Sequence, residues 1–266
     1  MKWLRERVLN KELLFGTFLN LGSSLTAEIA GRAGFDWLLI DLEHGAGNRQ
    51  ELLYQLQAIE STPAVPFVRI AWNDPIRFKQ ILDLGASGIM VPYIQTAEEA
   101  RRAVAAMRYP PAGIRGVAVM NRACAFGPGF DEYFNTASSR LVTILQIETA
   151  EAIKSVEEIA AVDGADVLFV WPMDLSVGLG IAQQWSHPDL RAALSKVVNA
   201  CRKFGKAAGM IAMNESHIDQ VLADGFTMVA CSSDSGAVVK GLQSIANSFR
   251  KHGQAVKSVT RRDDRG

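Results

Sequence analysis

Eight times along this chain an apolar run of strand length gives way to a polar turn, an amphipathic helix and then the next apolar run. That cycle constrains the fold more than any single motif, because strands separated by helices pair in parallel with the helices as crossovers. The runs fall at residues 14–21, 37–44, 65–72, 88–95, 141–148, 165–174, 207–213 and 226–233. Helices are predicted at 24–33, 48–61, 74–85, 96–108, 150–162, 188–204, 216–223 and 238–249. Their starts carry physical signals. Asn48 with Glu51 and Thr96 with Glu99 have capping-box spacing, and Asp74-Pro75 puts proline at the first helical position. Gly34, Gly85, Gly164 and Gly225 recur at the same point of the cycle, as helix-ending glycines do. Eight strands and eight helices in about 250 residues match an α/β chain folded as a (β/α)8 TIM barrel. The doubly wound open sheet is the alternative, and strand count and length favour the barrel. No linker breaks the pattern, so residues 1–253 are expected to form one domain. Residues 254–266 are polar and aperiodic and are expected to be a disordered tail. The long irregular segment 112–140 is expected to be functional rather than idle.

Charge and cysteine content remove several function classes. Lys+Arg and Asp+Glu are 28 each, which provides no bulk attraction to nucleic acid or to an anionic membrane. No apolar run reaches the length of a membrane span, and the opening Met1-Lys2-Trp3-Leu4-Arg5 lacks the apolar core of a secretory signal. Cys124, Cys201 and Cys231 are odd in number and far apart, which fits free thiols in a reducing compartment. A cytoplasmic protein with no nucleic-acid or membrane partner is expected.

In a barrel of this kind the active site lies at the carboxyl ends of the strands. The polar residues there are Asp41, Glu43 and His44 after the second strand, Arg69 in the third, Gln146 and Glu148 in the fifth and Asp174 at the end of the sixth. The amino ends are expected to carry nothing comparable. Glu148 and Asp174 together suggest a hard divalent cation of the Mg2+ or Mn2+ class, the bland alternative being two structural salt bridges. His44 has a suitable intrinsic pKa for a general base, against the alternative of a hydrogen-bonded core histidine. Arg69 lies in the apolar stretch Phe67-Val-Arg-Ile-Ala and needs an anion, either substrate oxygen or a neighbouring acid. Asp41 would orient His44 or pair with Arg69, and Asp83 reads as solvent-exposed. Three weaker signals fail. Gly45-Ala-Gly47 lacks the third glycine of a dinucleotide fingerprint, no lysine falls within a predicted strand for Schiff-base chemistry, and Ser232-Ser-Asp-Ser has no nucleophile-elbow context.

Seven short motifs occur in order: Leu39-Ile-Asp-Leu-Glu-His-Gly45, Pro66-Phe-Val-Arg-Ile70, Ile81-Leu-Asp-Leu-Gly85, Gly88-Ile-Met-Val-Pro92, Gly113-Ile-Arg-Gly116, Gln146-Ile-Glu148 and Pro172-Met-Asp-Leu-Ser176. With these motifs, roughly residues 10 to 250 resemble the metal-dependent (class II) 2-oxo acid aldolase family that includes 4-hydroxy-2-oxoheptanedioate aldolase and 2-dehydro-3-deoxyglucarate aldolase. The resemblance implies a barrel of the phosphoenolpyruvate/pyruvate-binding type. Glu148 and Asp174 would hold the metal (Mg2+, Mn2+ or Co2+), and Gln146 would contact the substrate. The backbone N–H groups of Met173 and Asp174 would bind the 2-oxo acid carboxylate. His44 would be the base with Asp83 raising its basicity, and Arg69 would stabilise oxyanion charge. It also implies a homohexamer built from dimers, with the last helix exchanged between subunits. One departure stands out: the family usually has glycine where this chain has Trp171. The expected activity is formation or cleavage of a C–C bond between a pyruvate-type enolate and an aldehyde. The alternatives are a related enzyme using a CoA thioester or a citrate-type condensation, and a non-catalytic 2-oxo acid or partner-binding barrel closed by Trp171.

Overall fold

The computed structural model describes residues 2–263, with side-chain surroundings for residues 2–252. Strands β1 (Leu14–Leu19), β2 (Trp37–Asp41), β3 (Val65–Arg69), β4 (Gly88–Val91), β5 (Val142–Ile147), β6 (Val167–Val170), β7 (Ala207–Ala212) and β8 (Met228–Ser233) form a closed barrel in sequence order. Every neighbouring pair is parallel, and β1 closes on β8 from Leu14↔Met228 to Phe18↔Ser233 with a register shift between Gly16 and Phe18. Closure settles the choice against the open sheet. Among the described residues no helix is long and apolar enough to cross a membrane.

Two separate cores hold the barrel. Inside it, Trp37, Phe67 and Phe169 pack with ring centroids 6.2 Å apart around Trp37, the Phe169 ring at 90° to the indole. Two glycines make the room. A Cβ on Gly16 would come 2.2 Å from the Trp37 ring, and one on Gly209 would come 2.4 Å from that of Phe169. The second core lies between strands and helices and includes Leu38, Ile40, Leu56, Ile89 and Val197. Odd and even positions of each strand therefore serve different cores, which is why the runs read as continuously apolar.

Helices α1 (Arg5–Leu9), α2 (Ser24–Arg32), α3 (Arg49–Glu60), α4 (Pro75–Leu82), α5 (Ala97–Met107), α6 (Phe130–Arg140), α7 (Ala150–Lys154), α8 (Val156–Ala160), α9 (Pro172–Gly178), α10 (Pro188–Lys203), α11 (Ile218–Asp224) and α12 (Asp234–Asp263) surround the strands. Both capping boxes form, and Asp74 caps α4 ahead of Pro75. Gly34, Gly85, Gly164 and Gly225 take φ of 86–100°, the left-handed conformation expected of them.

The differences from the sequence pattern have local causes. β2 stops at Asp41 rather than at 44 because the Asp41 carboxylate accepts the backbone N–H groups of Glu43 and His44 and turns the chain. Segment 112–140 contains α6, whose N-cap Gly129 makes no side-chain cap bond to announce it. The helix expected at 150–162 breaks at Ser155 into α7 and α8. α12 runs on to Asp263 instead of ending at Phe249, there being no proline after 249 and no glycine after Gly253 before that point to stop it. The expected tail therefore begins within α12, and residues 264–266 lie outside the described residues. At the last strand end, Asp234 latches the first loop: its carboxylate accepts the N–H of Asn20 at 2.8 Å and the Thr26 hydroxyl at 2.7 Å.

Candidate functional site

The inward side chains of the strands climb in layers, and the residues one step above the aromatic core are polar. Leu39 is followed two positions on by Asp41, Phe67 by Arg69, Ile144 by Gln146 and then Glu148, and Phe169 by Trp171. Alternation alone places these residues around one mouth at the carboxyl end of the barrel.

Arg69 sits at the centre of the mouth, its side chain 2% exposed. Its Nε and Nη2 donate to the two oxygens of Asp41 at 2.9 and 2.7 Å, a bidentate pair set up by the direct register of Asp41 with Arg69 across β2 and β3. Nη1 lies 3.0 Å from Glu43 Oε2 and donates to Gln146 Oε1 at 3.4 Å. The Glu43 contact is ionic only, since its direction leaves Oε2 without a hydrogen bond. Of the two roles open to Asp41, it takes the pairing with Arg69. It meets His44 through the backbone alone. Burial would raise the Asp41 carboxyl, but the hydrogen bonds and charge of Arg69 outweigh this and hold it below the usual carboxylate range. Glu43 moves the other way: burial pushes it up, and the charges of Glu148 and Asp41 add to that against Arg69.

Glu148 is buried. It accepts the Gln146 side-chain amide and, at 2.7 Å, the backbone N–H of Tyr93, whose φ of 59° turns that N–H into the mouth. Burial holds its carboxyl above the ordinary range, and the nearby Asp174 charge pushes in the same direction. Asp174 is exposed in the first turn of α9. Among the described residues neither Glu148 nor Asp174 joins an ion pair, so the salt-bridge alternative fails for both. No set of three or more His, Cys, Asp or Glu groups with metal-binding geometry occurs there either. The amino end of the barrel does hold a buried carboxylate, against expectation. That residue, Asp166, is closed off by Arg5 at 2.8 Å and by the Thr143 N–H at 3.0 Å.

His44 is not a core histidine. Its side chain is 72% exposed at the rim, with Nε2 3.9 Å from Glu43 Oε1. Met173 and Asp174 occupy the second and third positions of α9, where helical N–H groups lack intrahelical acceptors. One expected pairing is corrected: Asp83 is not brought to His44 within the chain. It caps the C-terminus of α4, which runs antiparallel to the strands and so ends at the amino side of the barrel. There its carboxylate accepts from the buried Arg115 guanidinium at 2.8 Å, so it is not the free surface acid the pattern suggested either.

Trp171 completes the mouth. Its backbone is ordinary extended chain at φ −105°, ψ 95°, so the indole carries no positive-φ strain. The ring lies 4.8 Å from the Arg69 guanidinium and meets Phe18 edge-on at 5.1 Å. A cavity of about 350 Å3 opens between Phe18, Asn20, Arg69, Trp171 and the ends of β7 and β8. Tyr93 was invisible to residue-type reasoning because it contributes only a backbone N–H. Glu43, one of the strand-end acids, adds to the local negative charge.

This arrangement has relatives. The family model described as HpcH/HpaI aldolase/citrate lyase matches residues 14–241. A 4-hydroxy-2-oxo-heptane-1,7-dioate aldolase from Salmonella dublin is 42% identical over 234 residues, 88% of this chain and 89% of that protein. Its counterpart from Escherichia coli is 41% identical over 242 residues, 91% and 92% of the two chains. The crystal structure of an HpcH/HpaI aldolase/citrate lyase family protein from Burkholderia cenocepacia J2315 superposes with a TM-score of 0.88 at 36% identity, covering 93% of this chain and 98% of that one. The ordered motifs, the closed barrel and these matches together place the chain in the HpcH/HpaI aldolase/citrate lyase family.

Proposed function

We propose that the protein is a divalent-metal-dependent aldolase that cleaves or forms a C–C bond between a pyruvate-type 2-oxo acid and an aldehyde. The observation that carries this reading is the pair Glu148 and Asp174, two carboxylates close enough to repel each other and neither in an ion pair among the described residues. Around them Asp41 and Glu43 outnumber the one guanidinium of Arg69, so the mouth has an excess of negative charge that a cation would offset. The donors are all oxygen, which suits Mg2+, Mn2+ or Co2+, and two protein ligands leave positions for water and substrate. When bound, such an ion supplies Lewis-acid polarisation of a carbonyl oxygen.

The chain's own residues do the rest. The free N–H groups of Met173 and Asp174 at the start of α9 hold the 2-oxo acid carboxylate, and the Gln146 amide, fixed between Arg69 and Glu148, contacts the substrate. In the cleavage direction His44, directly or through a water, takes the proton of the 4-hydroxyl group. The C3–C4 bond breaks, its electrons pass to the 2-oxo acid as an enolate, and the other fragment leaves as an aldehyde. A proton added at C3 gives pyruvate. Arg69 stabilises the developing oxyanion, a contribution of roughly 3–4 kcal/mol if it acts like an oxyanion-hole donor.

Solvent-deuterium exchange into the pyruvate methyl group tests this reading. Exchange should appear with Mn2+ or Mg2+, disappear on chelation, and fall by on the order of 10^3-fold or more in Glu148→Ala or Asp174→Ala with loss of Mn2+ binding by calorimetry. Full exchange in chelated protein overturns it.

The assembly is proposed to be a homohexamer built from dimers. Val238, Leu242, Ile245 and Phe249 are 44–74% exposed along α12 at a spacing that forms one apolar stripe, which supports association.

A further inference from the structure

We propose that the acceptor side of this mouth selects an uncharged, apolar aldehyde, and that Trp171 sets that preference; the inference rests on the aldolase reading above. The cavity is lined from the ends of β1, β2, β3, β6, β7 and β8 and not from β5, the strand that leads to Glu148, so an aldehyde meeting an enolate held at Glu148 and Asp174 projects its chain into it. Its apolar wall is Phe18, Trp171, Met173, Ile211 and Met213, and the opposite side carries Asn20, His44, Ser232 and Ser233 beside the Asp41–Arg69 pair. No lysine and no second arginine lines it among the described residues. Its one guanidinium, Arg69, is already shared between the carboxylates of Asp41 at 2.7 Å and Glu43 at 3.0 Å.

An aldehyde ending in a carboxylate would place a third anion beside those two, or strand it against the indole, with no lysine or unshared guanidinium to compensate and only the His44 imidazole, which serves as the base, within the cavity. An aldehyde ending in a methyl group or a ring would replace water along the same wall. The indole is well placed to enforce the difference. It is held on one side by the Arg69 guanidinium and on the other by the Phe18 edge, in a relaxed backbone conformation. The reaction is unchanged by this choice: the pyruvate methyl loses a proton, its carbon bonds to the aldehyde carbon, and the carbonyl oxygen gains a proton, with no electron donor or acceptor involved.

The test compares two four-carbon acceptors, butanal and succinic semialdehyde, which differ at the far end by methyl against carboxylate. With pyruvate and Mn2+, wild-type protein should favour butanal in kcat/KM by on the order of tenfold or more, carried mainly by KM. That ratio should fall stepwise in Trp171→Phe and Trp171→Ala; the phenylalanine variant, which keeps a ring, decides the point if the alanine variant does not fold. Metal-dependent deuterium exchange into pyruvate is measured on the wild type in parallel. Exchange together with equal or better use of succinic semialdehyde, or with a ratio unmoved by both substitutions, overturns the acceptor assignment and leaves the aldolase reading standing. Absence of exchange overturns the aldolase reading and this inference with it.

Discussion

Arg69 is asked to do two things that oppose each other. It must be buried enough to act on a developing negative charge, and it must remain ionised without water around it. Asp41 resolves the conflict with two hydrogen bonds, both side chains being at most 3% exposed. Breaking such a pair leaves a charge uncompensated, and Asp41→Asn is expected to cost about 3–5 kcal/mol. The sign with pH follows from the depressed Asp41 carboxyl. A carboxylate whose folded pKa is lowered contributes its full stabilisation above the unfolded value, near about pH 4, and loses it as pH falls through the folded value. The difference in Tm between wild type and Asp41→Asn should therefore be largest at neutral pH and shrink in acid. Calorimetry from pH 7 down to the acid limit of folding checks this, and a difference that grows in acid contradicts it. Glu148, Asp174, His44 and Arg69 were legible as site candidates because ionisable groups ending apolar strands have few structural excuses. The pairing of Asp83 with Arg115 is not legible, since the two lie 32 residues apart, Arg115 in an irregular segment, and no local pattern joins them.

At the scale of elements, legibility followed the strength of the end signals. α3 and α5, with complete capping boxes, were placed to within a residue or two. α6 and α1, whose N-caps are Gly129 and Leu4 with no side-chain bond, passed as loop. α9 is hidden for a different reason: the apolar run 165–174 carries the sixth strand on through Pro172 to Asp174, whereas β6 ends at Val170 and Pro172 takes the first position of a helix. The helix matters beyond its seven residues, because it sets two free N–H groups and Asp174 beside Glu148. Capping energy can be separated from function at α3. Asn48 accepts the N–H groups of Gln50 and Glu51, and Asn48→Ala should lower stability by about 1 kcal/mol. Denaturant unfolding would show the loss as a shifted midpoint with an unchanged slope.

For the whole molecule, the count of eight strand–helix units carried the fold, since parallel strands in that number with no edge to leave open close on themselves. What lay beyond reach was closure chemistry: Gly16 and Gly209 look like weak points in strands until Trp37 and Phe169 are seen filling their place. The α12 stripe belongs to this scale as well. If it buries against another copy, Leu242→Lys with Ile245→Lys should reduce the solution mass from that of a hexamer, measured by light scattering after size exclusion; an unchanged mass would remove α12 from the interface. The Asp234 latch has a consequence for how the protein is made. Asn20 and Thr26 leave the ribosome early, yet the carboxylate that fixes them is more than two hundred residues downstream. Until β8 has emerged the nascent chain carries its strands without a finished ring, and a translation product cut short before Asp234 lacks the carboxylate that fixes Asn20 and Thr26.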